Sequence, residues 1–142
     1  MKKLSREEIK KIFKKVKHLR LASDFNEVNF DEIKYYSWID ETNKRLLMLR
    51  EYKGEMTGIV WKMYRAKEAA MKLGRCEICL KHRKNNEVIF VYSKTKHLPK
   101  GIEYRSRGNF ACSDYKKCNQ DMKNEEGIDK LFNLILNDEE NI

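Results

Sequence analysis

The fold of this chain is decided by two cysteine pairs, Gly74-Arg75-Cys76-Glu77-Ile78-Cys79-Leu80 and Cys112-Ser113-Asp114-Tyr115-Lys116-Lys117-Cys118, which 32 residues separate. Together they contain all four cysteines of the 142 residues. A Cys-x-x-Cys turn can present both of its sulfurs to one ion, and Zn²⁺ accepts four thiolates in a tetrahedral arrangement. We therefore predict one structural zinc ion, with the ligands Cys76, Cys79, Cys112 and Cys118.

The second pair has a wider spacing than the first. Five residues separate Cys112 from Cys118, which fits one ligand at the end of a strand and another inside a short helix that Ser113 or Asp114 could cap. A cysteine turn, a hairpin and such a helix form a treble clef. Two disulfides are the alternative, which we disfavour because the sequence shows no sign of secretion and the cytosol keeps thiols reduced.

Two features of the composition bear on where the protein works. The charged residues at the amino terminus are not followed by an apolar run, so we expect no signal peptide. No stretch of about 20 apolar residues could span a bilayer. We expect a soluble, cytoplasmic monomer with no membrane partner.

Positive charge is concentrated in two parts of the chain, whose net charge is +9. Residues 1–20 carry nine Lys or Arg and two Glu, and residues 75–123 carry twelve Lys or Arg and five Asp or Glu. Such a field favours an acidic partner, either a nucleic acid or an acidic protein surface.

Hydrophobic periodicity predicts an α+β fold. Ser5 and Glu8 form a capping box that begins a helix to about His18, and three β-prone runs joined by short turns indicate an antiparallel meander over residues 34–40, 44–52 and 55–64. We assign these elements to a first lobe, residues 1–74, in which the helix lies on a small sheet.

The remaining elements belong to a predicted treble-clef lobe, residues 75–142. A helical turn over residues 66–73 leads into it, and residues 80–86 form a basic loop. Strands cover residues 87–93 and 104–111, with a turn or bulge at Gly108-Asn109. A helix follows over residues 127–136, before an acidic tail expected to fray.

The sequence offers no set of catalytic residues. Four cysteine ligands would leave zinc without an open position for water or substrate. His18, His82 and His97 are scattered, and no nucleophile, base and orienting group occur together. We expect a binding module with no enzymatic activity and no small-molecule substrate.

Basic and aromatic residues alternate along the predicted hairpin and beside the second cysteine pair. Arg and aromatic side chains are common anchors at interfaces, and Arg can bind carboxylate or phosphate with two hydrogen bonds. The alternative is that they only make a thin lobe soluble. The candidate partner-binding residues are Lys94, Lys96, Tyr104, Arg105, Arg107, Phe110, Tyr115 and Lys116.

These motifs resemble those of a known family. Three stretches carry the resemblance: Cys76-Glu77-Ile78-Cys79, Ser93-Lys94-Thr95-Lys96, and the run from Tyr104-Arg105-Ser106-Arg107-Gly108-Asn109-Phe110-Ala111 through Cys112 and Cys118 to Asn119. Together they are similar to the carboxy-terminal treble-clef domain of elongation factor G-binding proteins. That family includes the fusidic acid resistance proteins. The amino-terminal helical bundle of the full-length pattern has no counterpart here, so we expect a short homologue or an excised domain.

The resemblance implies a function in translation. Family members bind elongation factor G largely through this domain and promote its release from the ribosome, and the resistance proteins thereby free complexes stalled by fusidic acid. Residue matching implies that the four cysteines are the family's zinc ligands. The ribosome is a possible second partner, and the alternative function is an RNA- or ribosome-binding zinc-finger module.

Overall fold

A five-stranded antiparallel sheet, with the strand order β1-β2-β3-β6-β7, forms the centre of the molecule. The computed structural model describes residues 1–64, 73–84, 87–94 and 106–140. Within them, the strands are β1 (Tyr36–Asp40), β2 (Arg45–Tyr52), β3 (Glu55–Tyr64), β4 (Leu73–Arg75), β5 (His82–Lys84), β6 (Val88–Lys94) and β7 (Ser106–Cys112), and the helices are α1 (Arg6–Ile12), α2 (Tyr115–Asp121) and α3 (Glu126–Glu140).

The predicted meander is present as β1, β2 and β3. The turn between β2 and β3 consists of Lys53 and Gly54, whose φ angles are +50° and +83°. Two successive left-handed residues are typical of a type I′ turn, whose twist matches that of the strands it connects. The turn pairs Tyr52 with Glu55 and thereby sets the register of the two strands.

Helix α1 begins as predicted but ends earlier. Ser5 Oγ accepts a hydrogen bond from the Glu8 N–H at 3.1 Å, and Glu8 Oε1 accepts one from the Ser5 N–H at 3.2 Å. The helix stops at Ile12 rather than near His18. Beyond it, Phe13 packs edge-on against Trp38, so contacts with the sheet override the local helical pattern.

The central sheet contains strands from both predicted lobes. Strand β3 pairs with β6, and Lys62 lies opposite Tyr92. Buried side chains on both sides of residue 74 belong to one hydrophobic core. The division into residues 1–74 and 75–142 stays a prediction, but the two segments share one sheet.

Two local predictions in the second half are wrong. The basic loop over residues 80–86 contains β5, which pairs with β4 and closes the first cysteine pair into a hairpin. Gly108 and Asn109 are neither a turn nor a bulge, because they continue the regular β6–β7 register opposite Tyr92 and Val91. Most of the helical turn predicted over residues 66–73 lies outside the described residues, and Leu73 begins β4.

Helix α3 closes the core as predicted. Ile128, Leu131 and Phe132 are fully buried on one face. The helix continues to Glu140, so part of the predicted acidic tail is helical. Arg50, which is buried in β2, forms ion pairs with Glu125 and Asp129 and so links α3 to the sheet.

No helix in the described part of the chain is both long and apolar enough to cross a membrane.

Candidate metal centre

The four cysteine sulfurs form one buried cluster. All four sulfurs lie within 4.8 Å of one another; Cys76 and Cys118 are 3.7 Å apart, and Cys79 and Cys112 are 3.6 Å apart. Tetrahedral zinc with Zn–S bonds of about 2.3 Å requires sulfurs about 3.8 Å apart, whereas a disulfide requires about 2.05 Å. The spacing and the all-thiol ligand set therefore fit Zn²⁺, and no pair forms a disulfide.

The first two ligands lie in the turn between β4 and β5. The Cys76 N–H donates to the Lys81 carbonyl at 3.0 Å, and the Leu80 N–H donates to the Cys76 carbonyl at 2.8 Å. These bonds fold the Cys-x-x-Cys turn back on itself. Both sulfurs consequently face the interior, where Cys76 and Cys79 are buried.

The other two ligands lie where the sequence predicts. Cys112 is the last residue of β7, and Cys118 lies within α2. Asp114 caps this helix, because its Oδ1 accepts a hydrogen bond from the Lys116 N–H at 2.9 Å. One further backbone bond, from Ser113 N–H to the Glu87 carbonyl at 3.0 Å, fixes the passage from strand to helix.

Hydrogen-bond donors surround the sulfurs. The Ile78 N–H donates to Cys76 Sγ at 3.3 Å, and Arg83 Nη2 lies 3.7 Å from Cys79 Sγ while also pairing with Asp121. Such outer contacts orient the ligands of a metal and disperse their negative charge.

The cluster does not favour four thiolates without a cation. Hydrogen bonds with Cys112 and Cys118 lower the pKa of Cys76 to about 2. The pKa of Cys118 is raised by its hydrogen bonds with Cys112 and Cys76 and by burial. One sulfur is therefore readily ionised while a neighbour keeps its proton, and a divalent cation would supply the charge that stabilises the fully ionised set.

With this geometry established, the family can be assigned. The sequence profile of the FBP C-terminal treble-clef zinc-finger family matches residues 9–134. The chain belongs to that family. The treble-clef assignment confirms the resemblance found in the sequence and, with the clustered cysteines, confirms one zinc ion as the cofactor.

One solved structure extends the comparison beyond the FBP C-terminal domain profile. The chain is similar to the fusidic acid resistance protein FusC, with 26% identity and a TM-score of 0.72. The similarity covers 96% of this chain but only 59% of the FusC chain. A search of curated proteins gives no match.

Two residues near the zinc ligands of this FBP-family domain were not predicted. The Tyr35 side chain is fully buried, and its hydroxyl lies next to Cys118. Asn119 accepts from the Lys34 N–H at 2.7 Å and donates to the carbonyls of Tyr35 at 3.0 Å and Tyr115 at 2.7 Å. The only sequence signal for Asn119 is its position directly after a ligand.

The predicted partner-binding residues have different environments in the FBP-family fold. Lys116 is exposed, whereas Phe110 is half-buried against Phe90 and the ring of Tyr115 is buried edge-on against Tyr36. Tyr115 therefore helps to seat α2 in the core. Lys94 and Arg107 lie on β6 and β7 at neighbouring register positions. Three further candidates lie outside the described residues, namely Lys96, Tyr104 and Arg105.

Proposed function

We propose that this protein is a zinc-stabilised module without enzymatic activity that binds elongation factor G and promotes its release from the ribosome. Such release would protect translation from fusidic acid. The observation that carries this proposal is the similarity to the fusidic acid resistance protein FusC, which extends over 96% of the chain.

The zinc centre supports a binding role. Four buried sulfurs surround a single ion site, and tetrathiolate zinc has no open position at which to activate water. The metal can instead join the β4–β5 turn to β7 and α2. A site of this kind holds a surface in place, which is what a docking module requires.

The surface charge near the centre supports an acidic partner. Lys81 and Lys84 are exposed after the first cysteine pair, and Lys116 and Lys117 are exposed beside the second. Exposed cations on both sides of the metal would accelerate and orient encounter with a surface rich in carboxylates.

Titration of the purified, zinc-loaded protein with purified elongation factor G tests the binding step. We expect a one-to-one complex at micromolar concentrations, seen by calorimetry and by co-elution in size exclusion. The Cys112→Ala variant is the control and should not bind. No heat and no co-elution at tens of micromolar would contradict the proposal.

Release from the ribosome needs a separate experiment. Ribosomes carrying elongation factor G and fusidic acid can be sedimented with and without this protein. We expect the protein to move the factor from the pellet to the supernatant. If elongation factor G stays in the pellet, the protein binds the factor but does not release it from the ribosome.

The amino-terminal segment favours a second candidate, an RNA- or ribosome-binding module. All nine Lys and Arg residues among the first 20 are exposed, and clustered cations bind phosphates by releasing counterions. This candidate predicts tighter binding to RNA oligonucleotides than to elongation factor G at physiological salt, with an affinity that falls steeply as salt is added.

A further inference from the structure

Leu80 is unusual among the apolar residues of the described chain. Its side chain is 52% exposed, and no other large hydrophobic side chain in the described part is classed as exposed. It directly follows the ligand Cys79, at the end of the β4–β5 turn. The two residues that flank the turn on its far side, Lys81 and His82, are exposed as well.

The backbone at Leu80 is also unfavourable for its residue type. Its φ angle is +64°, in the left-handed region that glycine adopts freely and bulky side chains rarely adopt. The other described non-glycine residues with positive φ are polar, namely His18, Lys44 and Lys53. A glycine at position 80 would remove both the backbone strain and the exposed apolar surface.

The turn does not need the Leu80 side chain. The hydrogen bond that closes the turn comes from the Leu80 backbone N–H to the Cys76 carbonyl at 2.8 Å. The side chain is exposed and therefore contributes little to the core. Its presence at a strained and solvated position points to a contact outside this chain.

The surroundings of Leu80 define the chemistry of that contact. Two lysines that follow it in the sequence, Lys81 and Lys84, are exposed. The neighbouring acidic residue, Glu77, is half-buried, and its Oε2 lies 3.6 Å from Nζ of Lys130 in α3. The turn therefore presents one apolar side chain close in sequence to two exposed lysines.

We propose that Leu80 is an anchor that inserts into an apolar pocket bordered by carboxylates on the surface of elongation factor G. This proposal rests on the proposed function and identifies the part of the domain that makes the contact. A protein surface fits better than a nucleic acid, because phosphates would engage the cations but would leave the leucine exposed. Zinc fixes the turn, so the anchor is held in place before binding.

The Leu80→Gly variant separates stability from binding. Glycine suits a φ of +64°, so the thermal unfolding midpoint of the zinc-loaded variant should equal or exceed that of the wild type. Burying a leucine side chain contributes about 1.5–3 kcal/mol, so the dissociation constant for elongation factor G should rise by about tenfold to a hundredfold.

Two further variants complete the comparison. Lys53→Gly makes the same backbone change at another turn, where φ is +50°, and should bind as tightly as the wild type. Leu80→Met keeps an apolar side chain of similar volume and should restore binding to within about threefold, since such exchanges cost little.

The outcomes distinguish this inference from the proposed function. Wild-type protein that fails to bind elongation factor G would overturn both. Wild-type binding that Leu80→Gly leaves unchanged would overturn only the anchor. Stable Leu80→Gly protein with weakened binding, together with normal Lys53→Gly, would support it.

Discussion

The sulfur atoms of Cys76 and Cys118 lie 3.7 Å apart, although 42 positions separate the two residues in the sequence. This contact brings the β4–β5 turn against α2. Cys79 and Cys112 make the equivalent contact between the turn and the end of β7. The zinc centre thus joins the β4–β5 turn, β7 and α2, and we expect its loss to destabilise these elements first.

We predict that Cys112→Ala lowers the zinc content from one ion per chain and loosens the three elements more than the β1–β3 meander. Structural zinc contributes folding free energy directly, whereas the meander is held by its own buried side chains such as Leu47 and Trp61. Elemental analysis and hydrogen exchange read by mass spectrometry measure the two effects. The control is Lys116→Ala, an exposed position on α2.

If the backbone amides of α2 were as well protected from hydrogen exchange in metal-free protein as in zinc-loaded protein, the zinc site would not be needed for this part of the fold.

Removing the Tyr35 hydroxyl should weaken the hold on zinc. Burial and the nearby Cys118 sulfur raise the pKa of Tyr35, so the hydroxyl keeps its proton. A buried hydroxyl next to a zinc-bound thiolate can donate a hydrogen bond to it. We expect Tyr35→Phe to lose zinc to a competing chelator about tenfold faster. Cobalt-substituted protein should also show a shifted thiolate-to-metal absorption band.

The neighbouring residue gives a matched control. Tyr36 is also buried, and its hydroxyl makes no hydrogen bond, but its ring stacks on Trp38 and contacts Tyr115 rather than the sulfurs. Tyr36→Phe should leave the cobalt spectrum unchanged. If the two variants showed the same rate of zinc loss and the same cobalt spectrum, the role of Tyr35 would be packing alone.

Much of this fold could be predicted because local patterns agree with the tertiary structure. The β3 prediction, residues 55–64, matches the observed strand, and the capping box at Ser5 begins a helix as expected. The spacing of the second cysteine pair predicted a strand end and a helix capped by Ser113 or Asp114. The strand end and the helix are present, and Asp114 is the cap.

Long-range contacts explain what the sequence did not reveal. Helix α1 is short because the chain beyond it is held by the sheet, where Arg45 donates to the carbonyls of Lys17 at 3.1 Å and His18 at 2.9 Å. The β4–β5 pairing was missed because each strand has three residues, too few for a periodic pattern. The partner of the Asn119 amide lies 85 positions away.

That amide should contribute measurably to stability. Asn119 links α2 to the residues just before β1 through two hydrogen bonds, to Lys34 at 2.7 Å and to Tyr35 at 3.0 Å, and a third bond, to Tyr115 at 2.7 Å, lies within α2. Its removal takes this partner from the Lys34 N–H and the Tyr35 carbonyl, so we expect Asn119→Ala to lower the free energy of unfolding by about 2–3 kcal/mol. Urea unfolding of the zinc-loaded protein measures this change in the free energy of unfolding.

The adjacent residue, Gln120, is exposed on the same helix. Gln120→Ala should change the free energy of unfolding by less than about 0.5 kcal/mol. A similar small change for Asn119→Ala would mean that water replaces the lost bonds.

Asp40 should make stability depend on pH. Burial raises its pKa, but hydrogen bonds from Asn43 and the ion pair with Arg45, at 3.0 Å, outweigh burial and lower the pKa below its ordinary value. A carboxyl group with a lowered folded-state pKa stabilises the protein above the unfolded-state value of about 3.9, and this contribution is lost as the pH falls through the folded-state pKa.

The Asp40→Asn variant tests whether stability falls with pH in this direction. It leaves the partly buried Arg45 without its charge partner, so at pH 7 we expect a loss of about 1.5–3 kcal/mol relative to the wild type. The difference should shrink as the pH falls below the unfolded-state value of about 3.9 and wild-type Asp40 becomes protonated. Loss of zinc in acid affects both proteins and cancels in the comparison, and the exposed Asp31→Asn variant should follow the wild type at every pH. A difference for Asp40→Asn that stays constant down to pH 2 would show that shape rather than charge accounts for the role of Asp40.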